Sequence, residues 1–109
     1  MLEPLFGSVN RERVLIYLLV RDEGYAREIA RFFSTGLDPV QKQLDRLEYG
    51  GVVYSRRAGR TRLFRLNSRY PFLEELAALL RKSLEFYPED ERRRLEMDRR
   101  RPRRWDKPK

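Results

Sequence analysis

The sequence predicts a mainly helical domain carrying a small β-hairpin, an α+β arrangement of three core helices, a hairpin and a fourth, C-terminal helix. Three observations carry this expectation. From Val9 to Tyr49 apolar residues recur at spacings of three and four, the helical period. After Gly50-Gly51 the pattern changes to alternation and keeps it through Asn67, as strands require. A last leucine-rich helical stretch begins near Pro71 and stops before Pro88.

At 109 residues the chain is long enough for one domain with a modest core. Its formal net charge is +8, which favours an anionic partner such as nucleic acid or a membrane surface. Of the 25 basic residues 21 are Arg, whose planar fork donates two parallel hydrogen bonds to phosphate or guanine; an Arg-biased genome would give the same ratio. Cys and His are both absent. That removes disulfides, thiolate metal sites, the cysteine nucleophile and the commonest general base and metal ligand. Carboxylates such as Glu28 and Glu48 form no paired arrangement, so neither an enzyme nor a cofactor is expected. The longest apolar run, Val14 to Val20, is far too short to cross a bilayer, and Glu3 and Pro4 interrupt any signal peptide. A soluble cytoplasmic protein with no membrane partner is the expectation.

In chain order, Leu2, Leu5 and Phe6 form an apolar leader broken by Gly7-Ser8. Ser8 or Asn10 caps a first helix over Val9 to Val20, so apolar that it belongs in the core or in a subunit contact. Asp22-Glu23-Gly24 reads as a turn. A second helix over Ala26 to Phe33 turns Ala26, Ile29, Ala30 and Phe33 inward and Arg27, Glu28 and Arg31 outward. Arg31 is the better placed of its two cations for a phosphate, and Glu28 can instead pair with it. Ser34 to Leu37 makes a short turn, so the second and third helices form a helix-turn-helix unit.

The third helix, about residues 39–49, is the stretch around which the chain is organised. Asp38 reads as its N-cap, Pro39 as its first residue and Gln41 as the partner completing a capping box. Val40, Leu44 and Leu47 form its apolar stripe, which leaves Lys42, Asp45, Arg46 and Tyr49 pointing away, with Gln41 at the edge and Gln43 nearer the core. Gly50-Gly51 ends it. Two strands follow, Val52 to Arg57 and Arg60 to Asn67, around an Ala58-Gly59 loop. That register sets Arg57 opposite Arg60, Ser55 opposite Arg62 and Val53 opposite Phe64. Between Val52 and Tyr70 there are six Arg and no acid. Arg56, Arg57, Arg60 and Arg62 crowd the tip, where they repel one another until an anion relieves them. Basic edge strands also guard against aggregation, but that use ordinarily brings Lys and mixed signs.

This order of helices and basic hairpin resembles the winged helix-turn-helix of ArsR/MarR-like transcription regulators. The residues that carry the resemblance are LFGS (Leu5 to Ser8), REIARFF (Arg27 to Phe33), LDPVQKQLDRLEYGGVV (Leu37 to Val53) and SRRAGRTRLFRLN (Ser55 to Asn67). The resemblance implies a homodimer that reads double-stranded DNA, with the third helix in the major groove and the wing, residues 55–62, on the flanking backbone or minor groove. Gln41 and Lys42 then fall where base edges are met, and Arg46, Arg56, Arg57, Arg60, Arg62 and Arg31 fall on the backbone. Asp45 would orient Lys42 or Arg46, or accept from a cytosine amine. The turn departs from the family pattern at Ser34, where Gly is usual, and at Thr35, where an apolar residue is usual. Metal sensing through Cys and His has no support in this chain.

The fourth helix, about residues 71–86, carries a seam of Leu73, Leu76, Leu80 and Leu84, with Ala77 and Leu79, read as the dimerisation surface. The DNA-binding domain is thus placed at residues 1–87. Residues 88–109 hold ten basic and six acidic residues and read as a charged tail: EDERRRLEMDRRR can extend as a helix, Arg99 to Arg104 as a disordered basic arm, and Trp105 as a stacking residue or a packed one. The reading is a sequence-specific double-stranded DNA-binding transcription regulator, a repressor acting as a homodimer. The alternatives are a winged helix used for protein contacts, which calls for an apolar wing, and an RNA-binding or architectural role served by the same charges.

Overall fold

A computed structural model of the chain describes residues 1–97. The basic arm from Arg99 to Arg104 and Trp105 lie outside the described residues. The elements are α1 (Glu3–Phe6), α2 (Val9–Arg21), β1 (Gly24–Tyr25), α3 (Ala26–Phe32), α4 (Leu37–Tyr49), β2 (Val53–Ala58), β3 (Thr61–Leu66), α5 (Leu73–Leu84) and α6 (Glu89–Met97). Ser8 starts α2 as expected: its Oγ accepts from the Arg11 amide at 3.2 Å. From Val14 to Val20 every residue of α2 is buried. Seven consecutive residues cover almost two turns, so α2 is enclosed on all sides and its role is core. Ile29 and Ala30 of α3, Val40, Leu44 and Leu47 of α4, Val53 and Phe64 of the hairpin, Ala77 and Leu80 of α5 and Leu95 of α6 join it in one cluster. Each large side chain in that cluster stabilises the fold by about 1.5–3 kcal/mol through area removed from water.

Both helices of the helix-turn-helix end in the same backbone device. At the end of α4 the Val52 amide donates to the Leu47 carbonyl at 2.9 Å and the Gly51 amide to Glu48 at 3.0 Å. Gly51 sits at φ +81°, so this is the left-handed Schellman ending that its sequence foretold. At the end of α3 the Thr35 amide donates to Ala30 and the Ser34 amide to Arg31, and here the left-handed position is held by Ser34 at φ +53°. The turn keeps the geometry for which Gly is suited while bearing a side chain, at a cost of about 1–2 kcal/mol.

The start of α4 corrects the capping expectation. Helical backbone begins at Leu37 after the extended Gly36, with no side-chain cap, so Asp38 and Pro39 already lie inside the first turn. Pro39 is tolerated there because amides of the first turn have no helical acceptor. Gln41 does not reach back; its Nε2 donates forward to Asp45 Oδ1 at 2.9 Å.

The sheet has three antiparallel strands in the order β1-β3-β2. β1 was not foreseen: the sequence there reads as a turn, and two residues are too few to show an alternation. Gly24 pairs with Phe64 and Tyr25 with Leu63, fixing the start of α3 against the hairpin. In the hairpin, Arg57 faces Arg62, Ser55 faces Phe64 and Val53 faces Leu66. The loop therefore lies one residue farther along the chain than expected, and each β2 residue meets a partner two residues farther along β3. Gly59, at φ +67°, takes the first loop position and Arg60 the second, a two-residue turn whose first position favours glycine. The shift preserves the inward face, since Val53, Phe64 and Leu66 still share a side.

The largest correction concerns α5. Leu80 is 0% exposed and Ala77 is buried, both in the core of their own chain, and Leu76 and Leu84 pack half-buried against that core. Leu73 is likewise half-buried. Of the expected dimer seam, Leu80 is thus committed to the domain, while Leu73, Leu76 and Leu84 keep part of their surface open. The core also extends past Pro88, where the sequence placed a boundary, because α6 buries Leu95 completely. Its anchor is Arg21, at the end of α2. Nε donates to the Leu95 carbonyl at 2.8 Å and Nη2 to that of Arg94 at 3.2 Å, while the guanidinium lies 5.0 Å from the Phe32 ring centroid. Arg94 stacks on Phe32 as well, at 4.2 Å.

Glu12 is the second buried charge that ties distant segments. Its carboxylate accepts from the Leu2 amide at 2.7 Å and from the Tyr87 hydroxyl at 2.5 Å. Burial, then the hydrogen bond to Glu12 and its negative charge, hold the Tyr87 hydroxyl protonated far above the usual tyrosine range.

Two outcomes follow from these contacts. Ser34→Gly should raise the free energy of unfolding by about 0.5–1 kcal/mol, seen as a higher urea midpoint at constant slope. Tyr87→Phe should cost about 1.5–3 kcal/mol at neutral pH by removing a donor from a buried carboxylate. Because the folded chain holds Tyr87 protonated above its unfolded value, this contribution is intact below about pH 10 and fades above it as the unfolded chain ionises first. Thermal melts of the two proteins should therefore converge in strong alkali.

Candidate nucleic-acid interface

The outward face of α4 is polar along its whole length. Lys42, Asp45 and Arg46 are exposed, Gln41 is half-exposed, and Tyr49 ends the face almost fully in solvent. Gln43, which the sequence set nearer the core, is buried and engaged: its Oε1 accepts from Arg11 Nε at 2.8 Å. Arg11 also donates to the Phe6 carbonyl at 2.9 Å, so one guanidinium joins α1, α2 and α4. That contact, with the stripe of Val40, Leu44 and Leu47, fixes the rotation of α4 about its axis and so decides which residues face outward.

The hairpin is anchored at its base and free at its tip. Ser55 Oγ donates to Glu48 Oε2 at 2.7 Å, linking β2 to the end of α4. Arg65, on the far side of β3, pairs with Asp22 at 3.0 Å. The remaining cations have no such use. Arg56, Arg57, Arg60 and Arg62 are all exposed, and among the described residues no ion pair includes any of them. Arg57 and Arg62 sit directly opposite one another, an arrangement that costs stability in a sheet.

Helix and hairpin meet across a cleft of about 250 Å³ lined by Arg27, Leu37, Gln41, Arg60, Arg62 and Phe64, among others. The structure thus brings together three of the expected site residues, Gln41, Arg60 and Arg62, and adds Arg27. Lys42 lies on the other flank of α4, in a shallow recess with Asp38, Pro39 and Gln43. Arg31 and Arg46 are exposed, and Arg56 and Arg57 stand farther along the hairpin; none of these four lines the cleft. Arg27, the less favoured of the two α3 cations in the sequence, reaches the cleft because β1 holds the start of α3 against β3. Asp45 was expected to serve Lys42 or Arg46 and instead meets Gln41. That contact had a sequence signal, since Gln and Asp four apart on a helix are side-chain neighbours.

No protein-family model and no curated protein matches the sequence. Solved structures do. The chain superposes on the homodimeric winged helix-turn-helix DNA-binding domain of a possible ArsR-family transcriptional regulator from Mycobacterium bovis, with a TM-score of 0.57 and 22% identity over 82% of this chain and 80% of that one. The fold is a winged helix-turn-helix. A double mutant of ZitR from Lactococcus lactis in its apo form matches this winged helix at a TM-score of 0.55 and 23% identity, over 81% of this chain and 70% of that one. The adhesin competence repressor AdcR of Streptococcus pyogenes matches at 0.51 and 15%, covering 77% and 70%. In the terms of this fold α3 and α4 are the helix-turn-helix, α4 the third core helix, and β2 and β3 the wing.

Burial separates two neighbouring side chains of the winged helix with opposite expected roles. Gln43→Ala should lower stability by about 1–2 kcal/mol by leaving Arg11 Nε without its acceptor, whereas Lys42→Ala should change it by less than about 0.5 kcal/mol. Paired urea denaturation curves provide the measurement.

Proposed function

We propose that the protein is a sequence-specific double-stranded DNA-binding transcription regulator, acting as a homodimer that represses by occupying a pseudo-palindromic operator. The observation that carries this reading is the wing's arginine cluster, which makes no ion pair among the described residues and of which Arg60 and Arg62 line a cleft with Gln41 of α4. A protein gains nothing in its own stability from four exposed, mutually repelling guanidinium groups; a polyanion supplies the missing partner. In this reading α4 enters the major groove and presents Gln41 and Lys42 to base edges. Arg57 and Arg60, with Arg56 and Arg62 beside them, hold the flanking backbone or minor groove, and Arg31 and Arg46 add phosphate contacts. An apolar wing, which a protein-docking role would call for, is not what the hairpin offers.

The second copy would use surface other than Leu80. Met1, Val9 and Phe86 are exposed, Phe86 by 63%, and line one recess, so they offer apolar area that this chain leaves uncovered. A two-fold pair of such domains would present its two α4 helices to half-sites about 34 Å apart, one turn of duplex.

Titration against random duplex and against selected duplex at two salt concentrations tests the proposal. Both affinities should fall steeply with salt. Arg57→Ala and Arg60→Ala should each weaken binding to both duplexes and flatten the salt slope by about one unit. Gln41→Ala and Lys42→Ala should mainly erode the preference for the selected duplex, by about 1–3 kcal/mol. Absence of duplex binding near physiological salt would overturn the regulator reading, and a monomer in light scattering at micromolar concentration would overturn the dimer.

A further inference from the structure

We infer that Asp45 is the specificity-determining partner of Gln41, locking its side-chain amide in the one orientation that reads adenine. The inference rests on the DNA-reading role proposed for α4. Asp45 is exposed on the face of α4 turned to the anionic partner, where a carboxylate opposes binding. An acid at that place weakens every complex unless it does something for the reading of sequence. Its carboxylate meets Gln41, whose Nε2 donates to Asp45 Oδ1 at 2.9 Å.

The chemistry of that contact fixes the direction of the amide. An ionised carboxylate only accepts, so it tolerates the NH2 end of a glutamine and rejects the carbonyl end. A free glutamine amide can turn over and exchange its donor and acceptor edges; one held by Asp45 cannot. Nε2 carries two hydrogens, and the outer one suffices for Asp45. Oε1 and the hydrogen on its own side of the amide then remain as a fixed acceptor-donor pair. Adenine presents the complement in the major groove, a donor at N6 beside an acceptor at N7, whereas guanine presents two acceptors and repels Oε1. Gln41 stands at the cleft that Arg60 and Arg62 also line, which sets the amide edge beside the cations that would meet the flanking phosphates.

Selection of bound duplexes from a randomised pool, followed by counting bases at each position, tests this with wild type, Asp45→Ala, Gln41→Ala and the double variant, each checked for native helicity by circular dichroism. The wild type should enrich adenine at one position per half-site by about tenfold or more. Asp45→Ala should bring that enrichment close to the Gln41→Ala level while binding random duplex more tightly than wild type. The double variant should discriminate no less than Gln41→Ala alone. An unchanged adenine preference in Asp45→Ala, or losses that add in the double variant, would overturn the inference while leaving the DNA-reading role intact. A wild type that retains duplex yet enriches no base at any position would overturn the reading role itself, and the inference with it.

Discussion

The burial of α2 on every side is the constraint from which the rest of the architecture follows. A helix with one apolar stripe needs one neighbour; a helix with seven successive buried residues needs a ring of them. α4 and the hairpin supply one part of that ring and α5 and α6 another, and their relative placement is set by the shape of the helix they share. The consequence for the surface is direct. Once Val40, Leu44 and Leu47 are committed to the core, the opposite side of α4 must be the one that carries Lys42, Asp45 and Arg46. Geometry chosen for packing thereby sets what a partner meets.

Charge is used in two ways that divide the molecule. Near α2, Glu12, Arg21 and Gln43 are buried and each is met by named donors or acceptors, because an unmatched polar group there costs more than its bond returns. At the wing tip Arg56, Arg57, Arg60 and Arg62 are exposed and, among the described residues, in no ion pair. The interior charges knit segments far apart in sequence: Glu12 gathers the amino terminus and Tyr87, and Arg21 gathers α6. The wing charges do nothing comparable for the fold, and that contrast is why they point outward to another molecule.

Sequence patterning was most informative where a single period governed a whole element. The limits of α2, the inward stripe of α4, the Schellman ending at Gly51 and the existence of the hairpin were all legible. Legibility failed at short range and at long range for different physical reasons. β1 is two residues, below the length at which alternation exists, yet it determines that Arg27 borders the cleft. The start of α4 was misplaced because Asp-Pro-Val-Gln matches a capping box while the backbone at Gly36 had already taken the extended cap position. The leucine seam of α5 has the same periodicity whether it meets a second copy or its own core. The enclosure of α2 commits Ala77 and Leu80 to the core and leaves Leu73, Leu76 and Leu84 partly exposed. The Gln41–Asp45 contact was available from spacing alone, but Lys42 and Arg46 offered Asp45 competing partners of opposite charge.

The attachment of α6 has a consequence for how this protein can change over time. Arg21 grips the carbonyls of Arg94 and Leu95, which are main-chain atoms possessed by any residue at those positions. Among the described side chains of α6, Leu95 alone is completely enclosed. The segment is therefore held as a helix end with one apolar plug and one stacked guanidinium, that of Arg94 on Phe32, and hardly by its remaining letters. Substitutions at its charged positions other than Arg94 leave these contacts in place, so most of its composition is free to drift while the winged domain beneath it stays under close packing constraint.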